Sequence, residues 1–160
     1  MGLPNNPKLM SIRTFLKHKA ELAPGHRLVF TNGCFDVLHP GHVDLLARAR
    51  ALGDSLVLGL NSDESVKMLG KGDDRPLNTQ EERAFVLAGL ACVDYIVIFH
   101  ESTPLELIKA VRPQVLVKGG DWTPDKIVGR EVVEKAGGKV VSLPLLEGYS
   151  TTAFLNRVRA

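Results

Sequence analysis

Five short apolar runs punctuate the chain: Leu28 to Phe30, Leu56 to Leu60, Tyr95 to Phe99, Val115 to Val117 and Val140 to Leu143. Each is continuous rather than alternating, the pattern of a strand covered on both faces. Between them the apolar positions recur with helical spacing. Val43 to Leu52 sets Leu45, Leu46, Ala49 and Leu52 on one face. Glu81 to Leu90 follows Asn78-Thr79-Gln80-Glu81, which reads as a capping box. Thr103 to Val111 opens on Thr-Pro, Gly129 to Ala136 runs into Gly137-Gly138, and a last helix is predicted over Thr151 to Arg159 behind Ser150. Ahead of the first strand, Pro7 to Leu22 is predicted as an amphipathic helix carrying Leu9, Ile12, Leu16 and Leu22, stopped by Pro24-Gly25.

Strand and helix alternating at this spacing predict an α/β protein. The expected fold is a single Rossmann-like domain, a five-stranded parallel sheet with helices on both faces, plus an N-terminal helix. The expected organisation is a helical extension over residues 1–26 and the main domain over residues 27–160. Right-handed crossovers put the carboxyl ends of the strands on one rim, and ligands of such sheets bind outside it, where the strand order reverses.

Composition narrows the function. The chain has 160 residues and a net charge of +2, which gives no footprint for nucleic acid or an acidic membrane surface. No apolar run approaches the ~20 residues needed to span a bilayer, and residues 1–6 do not form the start of a secretory signal. Cys34 and Cys92 lack metal-ligand spacing, so a reduced, cytoplasmic protein is expected.

The candidate chemistry lies where the first strand runs into the next helix, over Thr31-Asn32-Gly33-Cys34-Phe35-Asp36-Val37-Leu38-His39-Pro40-Gly41-His42. A helix start offers free backbone N–H groups and the positive end of a dipole, both suited to an anion. Gly33 and Gly41 permit close backbone approach, and Pro40 suits the first helical position. His39 and His42, three apart, can both face one phosphate. A single histidine at a helix start is ordinarily a cap or a surface group; two of them framing Pro-Gly after an Asn-Gly turn are a stronger signal. Neither G-x-G-x-x-G nor the P-loop pattern occurs.

Three further segments belong with this turn. The loop Lys67 to Arg75 spaces Lys67, Lys71 and Arg75 with glycines and can close over a triphosphate. Lys118-Gly119-Gly120-Asp121 follows the fourth strand, with Lys118 suited to phosphate and Asp121 to a hydroxyl. Ser150-Thr151-Thr152 opens the last helix, a second helix start with hydroxyls. Cys34 reads as a packing residue of the turn and not as a catalytic thiol.

The span from Thr31 to His42 resembles the H-x-G-H signature of the cytidylyltransferase-like nucleotidyltransferases. From about Leu28 to Val158 the chain is similar to the heptose-1-phosphate adenylyltransferases among them, which make ADP-heptose for the lipopolysaccharide core. Asn61-Ser62-Asp63, Arg75-Pro76-Leu77-Asn78, Val117-Lys118-Gly119-Gly120-Asp121 and Glu147-Gly148-Tyr149-Ser150-Thr151-Thr152 match in the same order. One departure is informative. Where the glycerol-3-phosphate cytidylyltransferases carry an arginine in R-T-E-G-x-S-T-T, this chain has Leu145, which weighs against CTP and toward ATP.

The resemblance implies His39, His42, Lys71 and Lys118 as catalytic groups. It implies Thr31, Asn32, Gly33, Cys34, Phe35, Gly41, Gly119, Asp121, Ser150, Thr151 and Thr152 around the nucleotide, and Asp36, Asp63, Arg75 and Arg83 around a sugar phosphate. It also implies ATP and a sugar 1-phosphate as substrates, Mg²⁺ delivered with ATP, no metal held by the protein alone, and a homo-oligomer without nucleic-acid or membrane partners. Two alternatives stand beside it: a cytidylyltransferase acting on glycerol 3-phosphate or a similar monoester, and a non-catalytic nucleotide-binding regulator.

Overall fold

The computed structural model describes residues 2–159 except 71, 73 and 121. All five expected strands form: β1 Leu28–Gly33, β2 Ser55–Asn61, β3 Tyr95–Phe99, β4 Val115–Gly119 and β5 Lys139–Leu143. They pair in parallel in the order β3-β2-β1-β4-β5, so the chain starts at the centre, winds out to one edge, then crosses back and winds out to the other.

Apolar residues run continuously along the strands because both faces are covered. Val29 of β1 and Leu56, Leu58 and Leu60 of β2 join one cluster, with Leu45, Leu46 and Ala49 of α2 (Pro40–Arg50) and Leu87 of α4 (Gln80–Ala88). Leu28 and Phe30, on the opposite side of β1, join a second. That cluster holds Phe15 of α1 (Ile12–Ala20), Ile108 of α5 (Leu105–Val111) and Val133 of α6 (Arg130–Lys135). Strand side chains alternate between faces, so each run feeds both cores at once.

The helix ends follow local chemistry. Ser62 caps α3 (Asp63–Met68), a helix without a separate signature in the apolar pattern, by accepting from the Ser65 amide at 3.1 Å. At α4 the box is Thr79 with Glu82, one residue later than Asn78 with Glu81: the Glu82 carboxylate accepts from the Thr79 amide at 2.8 Å. A short 3₁₀ turn, Pro124–Lys126, precedes α6, and α7 (Thr151–Arg159) ends the described chain. Among the described residues, no helix is long and apolar enough to cross a membrane.

The N-terminal segment departs from the expected helix Pro7 to Leu22. Ser11 accepts from the Thr14 amide and starts α1 only at Ile12. Ahead of it, Lys8 to Met10 lie along the open edge of β3, where the Ile96 amide donates to the Lys8 carbonyl at 2.7 Å and the Met10 amide to the Ile96 carbonyl at 3.1 Å. Leu9 thus covers a sheet edge instead of a helix face, and the residue buried from α1 is Phe15, which is 0% exposed, against 39% for Leu16. Edge protection by a short parallel bridge is a tertiary pairing that helical periodicity cannot report.

Because Phe15 sits at the centre of one core, Phe15→Ala is expected to destabilise the fold by about 3–5 kcal/mol. Denaturant unfolding measures this; a loss below about 1 kcal/mol would mean that α1 is dispensable to the core.

Candidate active site

β1 keeps its ladder with β2 as far as Gly33, but its register with β4 covers only Val29 with Val115 and Phe30 with Leu116. Beyond that point the two strands part at the position where the strand order reverses, leaving a cleft between their carboxyl ends. The Thr31 hydroxyl closes the bottom of the gap by donating to the Val117 carbonyl at 3.0 Å. Thr31 is therefore buried beneath the cleft rather than exposed in it.

Above this floor is a cavity of about 540 Å³. The turn after β1 lines it with Asn32, Gly33, Cys34, Phe35 and Asp36; α2 contributes His42 and Leu45. The end of β4 adds Lys118 and Gly119, the start of α7 adds Thr151 and Thr152, and Arg75 and Leu145 complete the wall. Two helix N-termini thus face one space, as a site for a polyanion requires.

Close approaches shape both sides. A Cβ at Gly41 would meet the His39 ring at 3.1 Å and Cβ of Tyr149 at 3.2 Å, so a side chain there would push the start of α2 away from the segment leading into α7. A Cβ at Gly119 would lie 2.6 Å from Leu45 and 3.0 Å from Leu145, so these two leucines form an apolar patch over the end of β4. Lys118 stands 5.5 Å from the Trp122 ring centroid, and the Trp122 indole donates to the Gly119 carbonyl at 3.0 Å.

The two histidines are stacked, ring centroids 3.7 Å apart and planes 21° from parallel, and the Phe35 ring meets His42 edge-on at 5.0 Å. His39 is the N-cap residue of α2, but its side chain makes no capping bond, and its Nδ1 is buried with no hydrogen-bond partner among the described residues. Burial pushes its imidazole below the ordinary histidine range. Two imidazolium rings stacked this closely would repel, so a neutral His39 suits a pair in which His42 alone faces the cavity.

Behind the turn lies a polar network. Asp36, 3% exposed, accepts from Arg75 Nε at 2.6 Å and from the amides of Leu77 and Asn78 at 2.9 Å each. Arg83, 2% exposed, donates to the carbonyls of Cys34 at 2.7 Å, Asn61 at 2.8 Å and Asn78 at 3.1 Å, and to Asp63 Oδ1 at 2.7 Å. The Arg83 guanidinium is thus directed at the underside of the turn and away from the cavity. The expectation that it meets a sugar phosphate is corrected accordingly, and Asp63 is its ion-pair partner.

Of the expected site residues, Asn32 to Asp36, His42, Arg75, Lys118, Gly119, Thr151 and Thr152 come together at the cavity. His39 and Gly41 stand behind His42 in the first turn of α2, and Ser150 caps α7 by accepting from the Ala153 amide at 3.0 Å. Lys71 and Asp121 lie outside the described residues. The leucine pair over Gly119 went unread because Leu45 counts as a core position in its helix pattern; only the glycine facing it hints otherwise. No three His, Cys, Asp or Glu side chains among the described residues lie together as metal ligands would.

The cytidylyltransferase-like family model matches residues 30–156, the stretch from the middle of β1 into α7. The chain belongs to this family of nucleotidyltransferases. Among curated relatives, the bifunctional protein HldE of Pelobacter propionicus is 59% identical over 140 residues, covering 88% of this chain and 28% of the relative. The HldE proteins of Geobacter sulfurreducens and of a Bradyrhizobium strain are likewise 59% identical, over 139 and 136 residues. The chain therefore spans less than a third of the length of these relatives. A lipopolysaccharide core biosynthesis protein from Thermoplasma volcanium superposes with a TM-score of 0.62 at 27% identity, over 79% of this chain and all of that one. Pantoate–β-alanine ligase from Francisella tularensis shares the fold at 13% identity, TM-score 0.62, over 94% of this chain and 76% of the other. In this cytidylyltransferase-like domain, the cleft between β1 and β4 lies within the matched stretch and is lined by His42, Arg75, Lys118, Thr151 and Thr152.

His39 supplies a pH test. Its folded-state pKa lies below the unfolded value, so its contribution to stability is present above the unfolded pKa and is lost as pH falls through the folded pKa. Thermal unfolding between about pH 7.5 and about pH 5 should show wild type losing stability more steeply than His39→Gln. Parallel curves would remove His39 as the source.

Proposed function

We propose that the domain transfers the adenylyl group of ATP to D-glycero-β-D-manno-heptose 1-phosphate, giving ADP-heptose and pyrophosphate for lipopolysaccharide core synthesis. The observation that carries the reading is the cavity at the β1–β4 cleft, where His42, Lys118, Arg75 and the hydroxyls of Thr151 and Thr152 face one space between two helix N-termini. The HldE relatives and the Thermoplasma lipopolysaccharide protein support the acceptor class. The apolar wall of Leu45 and Leu145 supports ATP over CTP, since it offers no cation in the position discussed for the cytidylyltransferases.

A phosphate monoester is already an anion at neutral pH and needs no general base. One of its oxygens attacks the α-phosphorus, the bond from α-phosphorus to the bridging oxygen breaks, and the electron pair leaves on pyrophosphate. The protein's task is positioning and charge stabilisation. His42 donates toward the α-phosphoryl oxygens, Lys118 and Arg75 neutralise phosphate charge, and Thr151 and Thr152 bind the triphosphate from the far wall. Lys71 belongs to the same role in the proposal. Among the described residues, the cavity lining carries one carboxylate, Asp36, already paired to Arg75; that set fits Mg²⁺ carried in on the triphosphate rather than caged by protein. A homo-oligomer and a cytoplasmic location are part of the same proposal.

Pyrophosphate release over a panel of ATP, CTP and sugar phosphates tests it. Turnover is expected only with ATP and a heptose 1-phosphate; a CTP requirement would establish the cytidylyl alternative, and no release with any pair the regulatory one. His42→Ala is expected to lower kcat by on the order of 10²-fold or more, the loss typical of a transition-state donor. Undiminished turnover in that variant would remove His42 from the chemistry.

A further inference from the structure

Arg83 is buried and outside the cavity, yet one of its four bonds reaches the turn that lines the cavity. The Cys34 carbonyl points down into the guanidinium at 2.7 Å. Arg75-Pro76 is the cis peptide found among the described residues, so the Cys34–Phe35 unit is trans. In a planar trans peptide the C=O and the following N–H point in opposite directions. A carbonyl drawn down toward Arg83 therefore turns the Phe35 N–H up, toward the side where Cys34 and Phe35 line the cavity. That amide has no acceptor among the described residues, and Phe35 is held in the left-handed region at φ 47°, which a non-glycine residue adopts only when its surroundings impose it.

We propose that Arg83 is a positioning residue: through the Cys34 carbonyl it holds the Cys34–Phe35 peptide with its N–H aimed at the phosphate of the nucleotide. The other three bonds make the hold rigid. Asn61 ends β2, Asn78 precedes α4 and Asp63 begins α3, so the guanidinium is referenced to three fixed elements and not to the turn alone. Only a planar fork with several divergent donors reaches all four acceptors, which lysine cannot do. The next residue of the turn, Asp36, is fixed to the segment before α4, because its carboxylate accepts from the Asn78 amide and its carbonyl from the Asn78 side chain. The cavity thereby gains a donor that needs no reorientation when charge develops. This role rests on the cavity being a nucleotide phosphate site, and on nothing about the acceptor sugar or the base.

The test uses magnesium pyrophosphate as the probe and isotope-labelled protein observed by NMR. An anion on the Phe35 N–H polarises that peptide and strengthens the bond from its carbonyl to Arg83. In wild type, the Phe35 amide and the Arg83 guanidinium signals should therefore move along one titration curve with one Kd. Movement of Phe35 alone, or of neither, overturns the positioning role. In folded Arg83→Lys, measured below the lowered melting temperature that the lost buried bonds imply, the Kd should weaken by about tenfold or more and the Phe35 response should shrink. An unchanged Kd in a folded variant overturns the proposal, and if the variant does not fold the wild-type curves decide. Pyrophosphate is common to every nucleotide donor and no acceptor is present, so a wrong assignment of base or sugar would leave this result standing and would appear only in the turnover panel.

Discussion

A guanidinium that is 2% exposed sits directly beneath the turn that faces the cavity, and the surrounding architecture depends on how that charge is satisfied. Removing a cation from water costs several kcal/mol unless good partners replace the lost hydration. Arg83 finds three carbonyls and one carboxylate, contributed by the turn after β1, the end of β2, the residues before α4 and the start of α3. The three carbonyls lie in the turn or at the ends of elements, where backbone groups need partners from outside the ladders and helices. One side chain thus joins four chain segments, of which the ladder holds together only the ends of β1 and β2.

The second determinant is topological. A parallel sheet begun at its centre sends the crossovers that wind out one way over one face and those that wind out the other way over the opposite face, and the ladder between β1 and β4 ends at Phe30 and Leu116. Their separation opens the cleft, and the Thr31 hydroxyl covers the polar group the ladder leaves at Val117. The helix that follows β1 necessarily starts at the lip of this cleft. The segment leading into α7 reaches the opposite lip, close enough that a Cβ at Gly41 would lie 3.2 Å from Cβ of Tyr149. The two helix starts therefore face one space because of where the chain turns, before any one side chain contributes.

This division explains what was legible in the sequence. The strands could be read because burial on both faces leaves unbroken apolar runs, and their ends agree with the structure to within a few residues. The turn, Lys118-Gly119 and Thr151-Thr152 could be read because glycine, histidine and hydroxyl residues at element ends carry local signals. Arg83 could not. One turn into an amphipathic helix, it looks like a solvent-facing charge or a ligand contact, and only the tertiary placement of the Cys34 and Asn61 carbonyls beside that of Asn78 gives it its surroundings. The same holds for Leu9, whose helical spacing hid a pairing with Ile96, and for Phe15, whose burial depends on a neighbouring sheet rather than on its own periodicity.

The central claim is that a polyphosphate lies against the turn after β1, with backbone and side-chain donors already in place. A crystal structure with a non-hydrolysable ATP analogue and Mg²⁺ tests it most directly. The expected result is phosphate oxygens within hydrogen-bond distance of the Phe35 amide, lying between His42 and Thr151, with the Cys34 carbonyl still on Arg83. Phosphates bound elsewhere on the molecule, or a turn that flips the Cys34 carbonyl into the cavity on binding, would contradict it.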